Sequence, residues 1–429
     1  MSDSVQRSTS IAARAARISR KLGGLSHAQR CEYLRRFSEL LRQEAQTIIA
    51  ENKEDCRAAE DIPAALRSRL AISLQKLDKI IEYPLSILQL DDPLNMLQVN
   101  TMLDDGLVLE RRSVPLGVVL FIFESRPDAF IQMVSLAMKT GNVLLLKPGR
   151  ESLRTCKVFF ELLTKVTKEL DMPSDWCFLL EERAEVHELL RCDDHIDLVI
   201  PRGSNEFVRD IMKHSNIPVL GHADGNCHIY IDTDADMELT KRIVVDAKTQ
   251  YVAVCNAVES LLIHKDRKND IPALIDVLSS KGVTVRGDIG SQKVDARVIP
   301  AEEEDWGMEY LDLVVSLRVV ESLDEALECI HRYGSKHTDV IITENKKNAD
   351  MFLRQVDTAN AFVNCSSRFS DGYVYGLGAE SGVATGKIHA RGPVGLEGLC
   401  TYKWILRGQG HIIGDYAGTG SFKHKNLLS

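Results

Sequence analysis

Cys255, in the stretch QYVAVCNAVE (residues 250–259), is the side chain of this sequence best suited to forming a covalent bond to an acyl carbon. The thiolate is the attacking species, and it needs a lowered pKa or electropositive surroundings. No base adjoins Cys255 in the sequence. A helix beginning near Asn256 would supply N–H groups to both the sulfur and an oxyanion. A free cysteine is also an ordinary small buried hydrophobe, and the residues around Cys255 leave both readings open.

A second set of chemistry-bearing residues follows apolar runs upstream. VPLGVVLFIFESRPDAF (114–130) reads as a buried strand, a polar loop and a helix, the arrangement at which α/β sheets bind ligands. In TGNVLLLKPGR (140–150), Lys147 stands at a strand end and Arg150 three residues on, placed to grip a ribose or phosphates or to stand as solvated cations. In IPRGSNEF, Gly203-Ser204 opens a helix and suits either an anion or a simple N-cap. Neither GxGxxG nor GxxxxGKS occurs. His222, His228, His337 and His389 show no metal-ligand spacing, none of the ten cysteines forms a CxxC pair, and no metal is expected.

Net charge is −9, which argues against non-specific binding to nucleic acid. No run reaches the ~18 apolar residues of a membrane helix. Ten cysteines in a large chain without a secretory signal read as reduced thiols of a cytoplasmic protein. The Arg- and Ser-rich N-terminus could be a transit peptide. However, Ile11, Ala15, Ile18 and Leu22 recur at helical spacing, which favours a first helix.

The elements that must position these residues follow from periodicity. Residues 4–60 form amphipathic helices. A further helix spans 62–82, with Pro63 in its first turn and Pro84 as a break. Asp105-Gly106 is a hairpin signal. From residue 114, strands and helices alternate as in a parallel sheet, and a second α/β unit spans about 235–390. Residues 372–398 are glycine-rich ordered loop, 401–406 and 411–413 are closing strands, and the last dozen residues are a tail.

Six motifs add a resemblance: VPLGVVLFIFESRPDAF, IDLVIPRGSNEFVRDI, IPVLGHADGNCHIYID, AKTQYVAVCNAVESLLIH, ALECIHRYGSKHTDVIIT and FSDGYVYGLGAESGVATGKIHARGPVGLEGL. From about residue 10 to about 415 the chain resembles the gamma-glutamyl phosphate reductase family, a branch of the aldehyde dehydrogenase superfamily. The resemblance implies an α/β fold of aldehyde dehydrogenase type, with two Rossmann-like parallel-sheet domains and a small β arm. Residues 1–103 and 114–234 would bind NADP, 235–390 would carry catalysis, and 104–113 with 399–414 would form the arm of a homodimer or homotetramer.

It further implies that Cys255 is the nucleophile. The enzyme would reduce L-glutamate 5-phosphate to L-glutamate 5-semialdehyde with NADPH, through a cysteine thioester, as the second step of proline biosynthesis. The superfamily's oxyanion Asn corresponds to Ser125, beside Arg126. Asn364 and Arg391 are candidates for the substrate's anionic groups, and Glu309 for the nicotinamide ribose. Arg150 stands where NAD-preferring members carry an acid, and so favours the 2′-phosphate of NADP. GHADGNCH holds no counterpart of the superfamily's general-base Glu, which suits an acyl group that is reduced instead of hydrolysed. Glutamate 5-kinase is a transient partner on this reading. The alternatives are a reductase of a different acyl phosphate, or a non-catalytic NADP-binding scaffold for that kinase.

Overall fold

The structure is a computed structural model, and it describes residues 3–62, 67, 69–221, 224–417 and 421–428. Pro63 and His222 lie outside these residues. Two parallel sheets carry the molecule. The first has four strands in the order Cys177–Leu179, Val143–Pro148, Val118–Phe123 and Leu198–Arg202. Every residue of Val118–Phe123 and Val143–Pro148 is buried, as expected of strands covered on both faces. Helix Pro127–Thr140 follows with Pro127 at its start and Gly141, at φ 68°, closing it in the left-handed region. Asn142 stitches the turn: its Oδ1 accepts from the Gly117 N–H, and its Nδ2 donates to the Leu399 carbonyl.

The second sheet has seven strands, in the order Ile299–Pro300, Thr284–Gly287, Val314–Val320, Val258–His264, Cys227–Ile231, Thr338–Ile342 and Asn360–Val363, all parallel. One core unites the first sheet with the N-terminal helices, and two smaller clusters line the faces of the second sheet.

The N-terminal helices run Asp3–Leu22, His27–Gln43 and Ala45–Ala58. The next described helix is Leu74–Leu88, and Pro84 lies inside it. Leu77, Ile80, Ile81, Pro84 and Ile87 are buried along that helix, so core packing outweighs the hydrogen bond that the proline removes. Residues 411–413 are not a strand; Ile413–Tyr416 is a 3₁₀ turn. Part of the expected tail returns instead. Lys425–Asn426 pairs with Leu97–Asp104, and Lys423 forms ion pairs with Asp104 and Asp105. The arm is thus a four-stranded antiparallel sheet in the order Cys400–Arg407, Leu107–Pro115, Leu97–Asp104, Lys425–Asn426.

Candidate active site

In the first sheet, Lys147 is in register with Ile122, and Arg202 with Phe123. Residues 124–126, 147–150 and 202–204 therefore gather at the carboxyl ends of the strands, beside the point where the strand order reverses. The amino ends of the second sheet face them. Cys227 is in register with Val258, so Cys255 stands just before that edge. Contacts cross the cleft directly: Asn205 donates to Glu309 at 2.9 Å, and Arg69 donates to the Ala253 carbonyl at 2.7 Å.

Cys255 occupies a turn between helix Met237–Thr249 and strand Val258–His264, and is partly exposed. The helix expected at Asn256 does not form, because the strand begins at Val258 and leaves no room for a helical turn. Instead, the Ala257 N–H donates to the Val254 carbonyl. Neighbours hold the turn from three sides. The Cys227 thiol donates to the Cys255 carbonyl at 3.1 Å. Asn256 donates to the Ser370 carbonyl and accepts from the Ser367 hydroxyl. Gly225 packs so closely that a Cβ there would lie 2.5 Å from Cys255 Cα and Cβ.

Cations surround the thiol. Arg202 and Arg368, both half-buried, lie within Coulombic range of Cys255. Burial lowers the pKa of each guanidinium, which raises the premium on an anionic partner. Arg126 lies in range of Arg202 and is paired with Asp128 at 3.0 Å. Glu380 is in range of both Arg202 and Cys255. Sequence reasoning passed over Arg202, Arg368, Gly225 and Glu380. Only Arg202 had a signal, the end of the apolar run preceding Gly203-Ser204; the others come from loops that pairing of elements brings in.

The expected oxyanion residue is engaged elsewhere. Ser125, at φ 50°, donates its N–H and its hydroxyl to Glu151 Oε1 at 2.5 and 2.9 Å. Asn364 is not at the site. It follows strand Asn360–Val363 at its carboxyl end, roughly 13 Å from the edge that carries Cys255 at ~3.3 Å per residue. Its side chain is used up on the Thr343 peptide, accepting from the N–H and donating to the carbonyl, both at 2.9 Å. Arg391 is on the same sheet edge as Cys255, but it is held by Asp357 at 2.9 Å and the Thr385 carbonyl at 3.2 Å.

On the cofactor side, Lys147 is buried and donates to the Pro148 carbonyl at 2.6 Å; burial lowers its pKa. Arg150 is exposed and opens a 3₁₀ turn, Arg150–Ser152, and the helix that follows starts at Leu153. Ser204 caps helix Asn205–His214, and its own N–H donates to Glu124 at 3.2 Å. Gly203 leaves a cradle: a Cβ there would meet Glu124 Oε2 at 2.5 Å and Phe207 at 2.8 Å. The helix start thus already attracts an anionic oxygen. Among the described residues, no cluster of His, Cys, Asp and Glu could hold a metal ion, all ten cysteines are free, and no helix is long and apolar enough to cross a membrane.

Comparison with known proteins fits this architecture. The aldehyde dehydrogenase family model matches residues 2–282. A gamma-glutamyl phosphate reductase of Acetivibrio thermocellus is 50% identical over 398 residues, covering 92% of each chain. The crystal structure of the gamma-glutamyl phosphate reductase of Thermotoga maritima superimposes with a TM-score of 0.91 at 33% identity, covering 96% of this chain and all of that one. An acetylating aldehyde dehydrogenase of Geobacillus thermoglucosidasius shares the fold at a TM-score of 0.67 and 16% identity. The chain belongs to the gamma-glutamyl phosphate reductase family, within the aldehyde dehydrogenase family.

Proposed function

We propose that this enzyme reduces L-glutamate 5-phosphate to L-glutamate 5-semialdehyde and phosphate, the second step of proline biosynthesis, with NADPH as reductant. The observation that carries the reading is a cysteine in a cleft bordered by Arg202, Arg368 and Arg126. A thiolate attacks an acyl phosphate well and then leaves well, so one difficult reduction becomes two easier steps. The substrate carries a phosphate and an α-carboxylate, and guanidinium groups match both. Arg202 and Arg368, within Coulombic range of the sulfur, suit the phosphate that departs. Arg126, at the mouth of the first sheet, suits the carboxylate. Arg391 shares the one Asp357 carboxylate with Lys336 and Lys387, which leaves net positive charge on the same edge.

The residues at the first sheet's edge fit a phosphorylated dinucleotide. Gly203-Ser204 at the helix start would take the pyrophosphate, Lys147 the ribose, Arg150 the 2′-phosphate, and Glu309 the nicotinamide ribose. The bound dinucleotide supplies the hydride. The Ser125 N–H and hydroxyl would reach the developing oxyanion once Glu151 moves aside. Residues 1–103 and 114–234 then serve the cofactor, and 235–390 the acyl group. The arm pairs with a second copy, giving a homodimer or homotetramer, and glutamate 5-kinase delivers its labile product by transient docking in the cytoplasm.

The test runs the reaction backwards. Wild type with glutamate 5-semialdehyde, phosphate and NADP should form NADPH in a phosphate-dependent manner, and Cys255→Ser should abolish it. Wild type without activity refutes the substrate; Cys255→Ser with full activity refutes the thioester.

A further inference from the structure

The reaction moves a proton as well as a hydride. The thiol must lose its proton as sulfur bonds to the acyl carbon, and phosphate leaves better if its oxygen gains one. No base lies beside Cys255 in its turn, and the other carboxylates around the cleft are committed. Asp224 pairs with Arg209, Asp128 with Arg126, and Glu259 with Lys248. Glu151 accepts from Ser125, Glu124 from Ser204 and Glu309 from Asn205.

Glu380 is tied to the turn that carries Cys255: its Oε2 accepts from the Gly372 N–H at 2.8 Å, and two residues earlier the Ser370 carbonyl accepts from Asn256, next to Cys255, at 2.8 Å. The loop around it is tightly built. A Cβ on Gly372 would lie 2.7 Å from Glu380 Cβ, and Gly382, at φ 130°, lies against the Arg202 guanidinium with no room for a side chain. The charged and titratable groups facing Glu380 are Arg202 from the first sheet, Cys255 from its turn, Arg126, and Asp371 and Tyr375 from its own loop. Burial lifts the carboxyl above its ordinary value, against the pull of Arg202.

We propose that Glu380 is the proton carrier of the reaction, taking the Cys255 proton as the sulfur–carbon bond forms and handing it to the phosphate oxygen as the carbon–oxygen bond breaks. This rests on the reading of Cys255 as nucleophile and an acyl phosphate as substrate. The balance closes: thiol plus acyl phosphate dianion gives thioester plus hydrogen phosphate, with the carboxylate restored. After hydride arrives at the thioester carbon, the carbon–sulfur bond breaks, and the thiolate takes its proton from solvent through the same carboxyl. Hydrolysis needs a base directed at water; this carboxyl stands beside Arg202, where the phosphate would lie.

Glu380→Gln keeps an oxygen for the Gly372 N–H and removes the titration. In the phosphate-dependent reduction of NADP by glutamate 5-semialdehyde, kcat should fall by about 10²-fold or more, with KM for phosphate changed only a few-fold. Alkylation of Cys255 by iodoacetamide near neutral pH should become faster, because a nearby carboxylate opposes the thiolate. Glu380→Asp should recover part of kcat. Slower turnover with faster alkylation is a combination that loosened packing does not produce. Unchanged kcat and pH profile in Glu380→Gln, or a rise in phosphate KM alone, would overturn the proposal. If Glu380→Gln does not fold, Glu380→Asp decides by the same two readouts: wild-type kcat with an unshifted pH profile would overturn the role. Wild type without phosphate-dependent activity would instead refute the acyl-phosphate reading beneath it.

Discussion

A methyl group at Gly225 would lie 2.5 Å from Cys255 Cα and Cβ, closer than carbon atoms can approach. A glycine fits there because the Cys255 backbone passes directly over it. Gly225→Ala should push the turn away, costing about 1–3 kcal/mol by overpacking. A shift near 1 Å would lower kcat by about 10²-fold. Steady-state kinetics and thermal denaturation together check this; a variant with wild-type kcat would show that the turn adapts. At this scale the sequence exposed the thiol but not its setting. Cys255 stands out by its neighbours, whereas Gly225, Arg368 and Glu380 lie in loops without a local pattern and reach the site only when the second sheet assembles. The resemblance pointed to Asn364 for the substrate's anionic groups, but the strand it follows carries it to the far edge.

Lys248 lies in the last turn of the helix before Cys255 and Glu259 is the second residue of the strand after it, and their side chains meet at 2.5 Å, fully buried. Glu259 also accepts from the Leu311 N–H, and the Tyr310 ring lies 6.0 Å from the Lys248 ammonium. The pair therefore ties the two elements that flank Cys255 to the loop that carries Glu309. Lys248→Met should leave a buried carboxylate without its counter-charge and destabilise the fold by about 3–5 kcal/mol.

Burial pushes the Glu259 pKa up to about 7, against the pull of Lys248. The folded chain thus keeps a proton that the unfolded chain releases at the ordinary carboxyl value. The stability from this group is complete below that value, declines as pH rises towards 7, and levels off above it. Glu259→Gln should remove the decline, so the variant gains on wild type between pH 5 and pH 8. Urea denaturation at the two pH values measures this, and parallel pH profiles would refute it. Most strands and helices here were legible, since apolar runs and 3.6-residue spacing report burial directly. Pro84 inside a helix was not, because core packing overrode local preference. Nor was the missing helix after Cys255, because strand pairing at Val258 took the residues first.

At the scale of the molecule, the arm presents an unpaired strand edge along Cys400–Arg407 among the described residues. Tyr402, Trp404 and Leu406 alternate onto one face and are 50%, 52% and 57% exposed. Arg111 lies over the rings of Tyr402 and Trp404, at 4.7 and 5.7 Å from their centroids. An open edge beside exposed aromatic side chains needs a cover. If a second copy provides it, Trp404→Glu combined with Leu406→Lys should shift the protein towards monomer in sedimentation, with little change in helix content by circular dichroism. A wild type that sediments as a monomer would rule out the pairing.

The sequence by itself determined the β–α alternation, the two parallel sheets, the hairpin and the thiol, because each is encoded in neighbouring residues: apolar runs, Asp-Gly, and small side chains around one cysteine. Resemblance extended this to a reaction. Tertiary structure alone decided which edge of each sheet faces the cleft, and hence that Arg202 and Glu380 stand near Cys255 while Asn364 does not. It also returned the C-terminal segment to the arm and tied Ser125 to Glu151. Those outcomes depend on strand register and on buried charges finding partners, and neither property belongs to any single stretch of the chain.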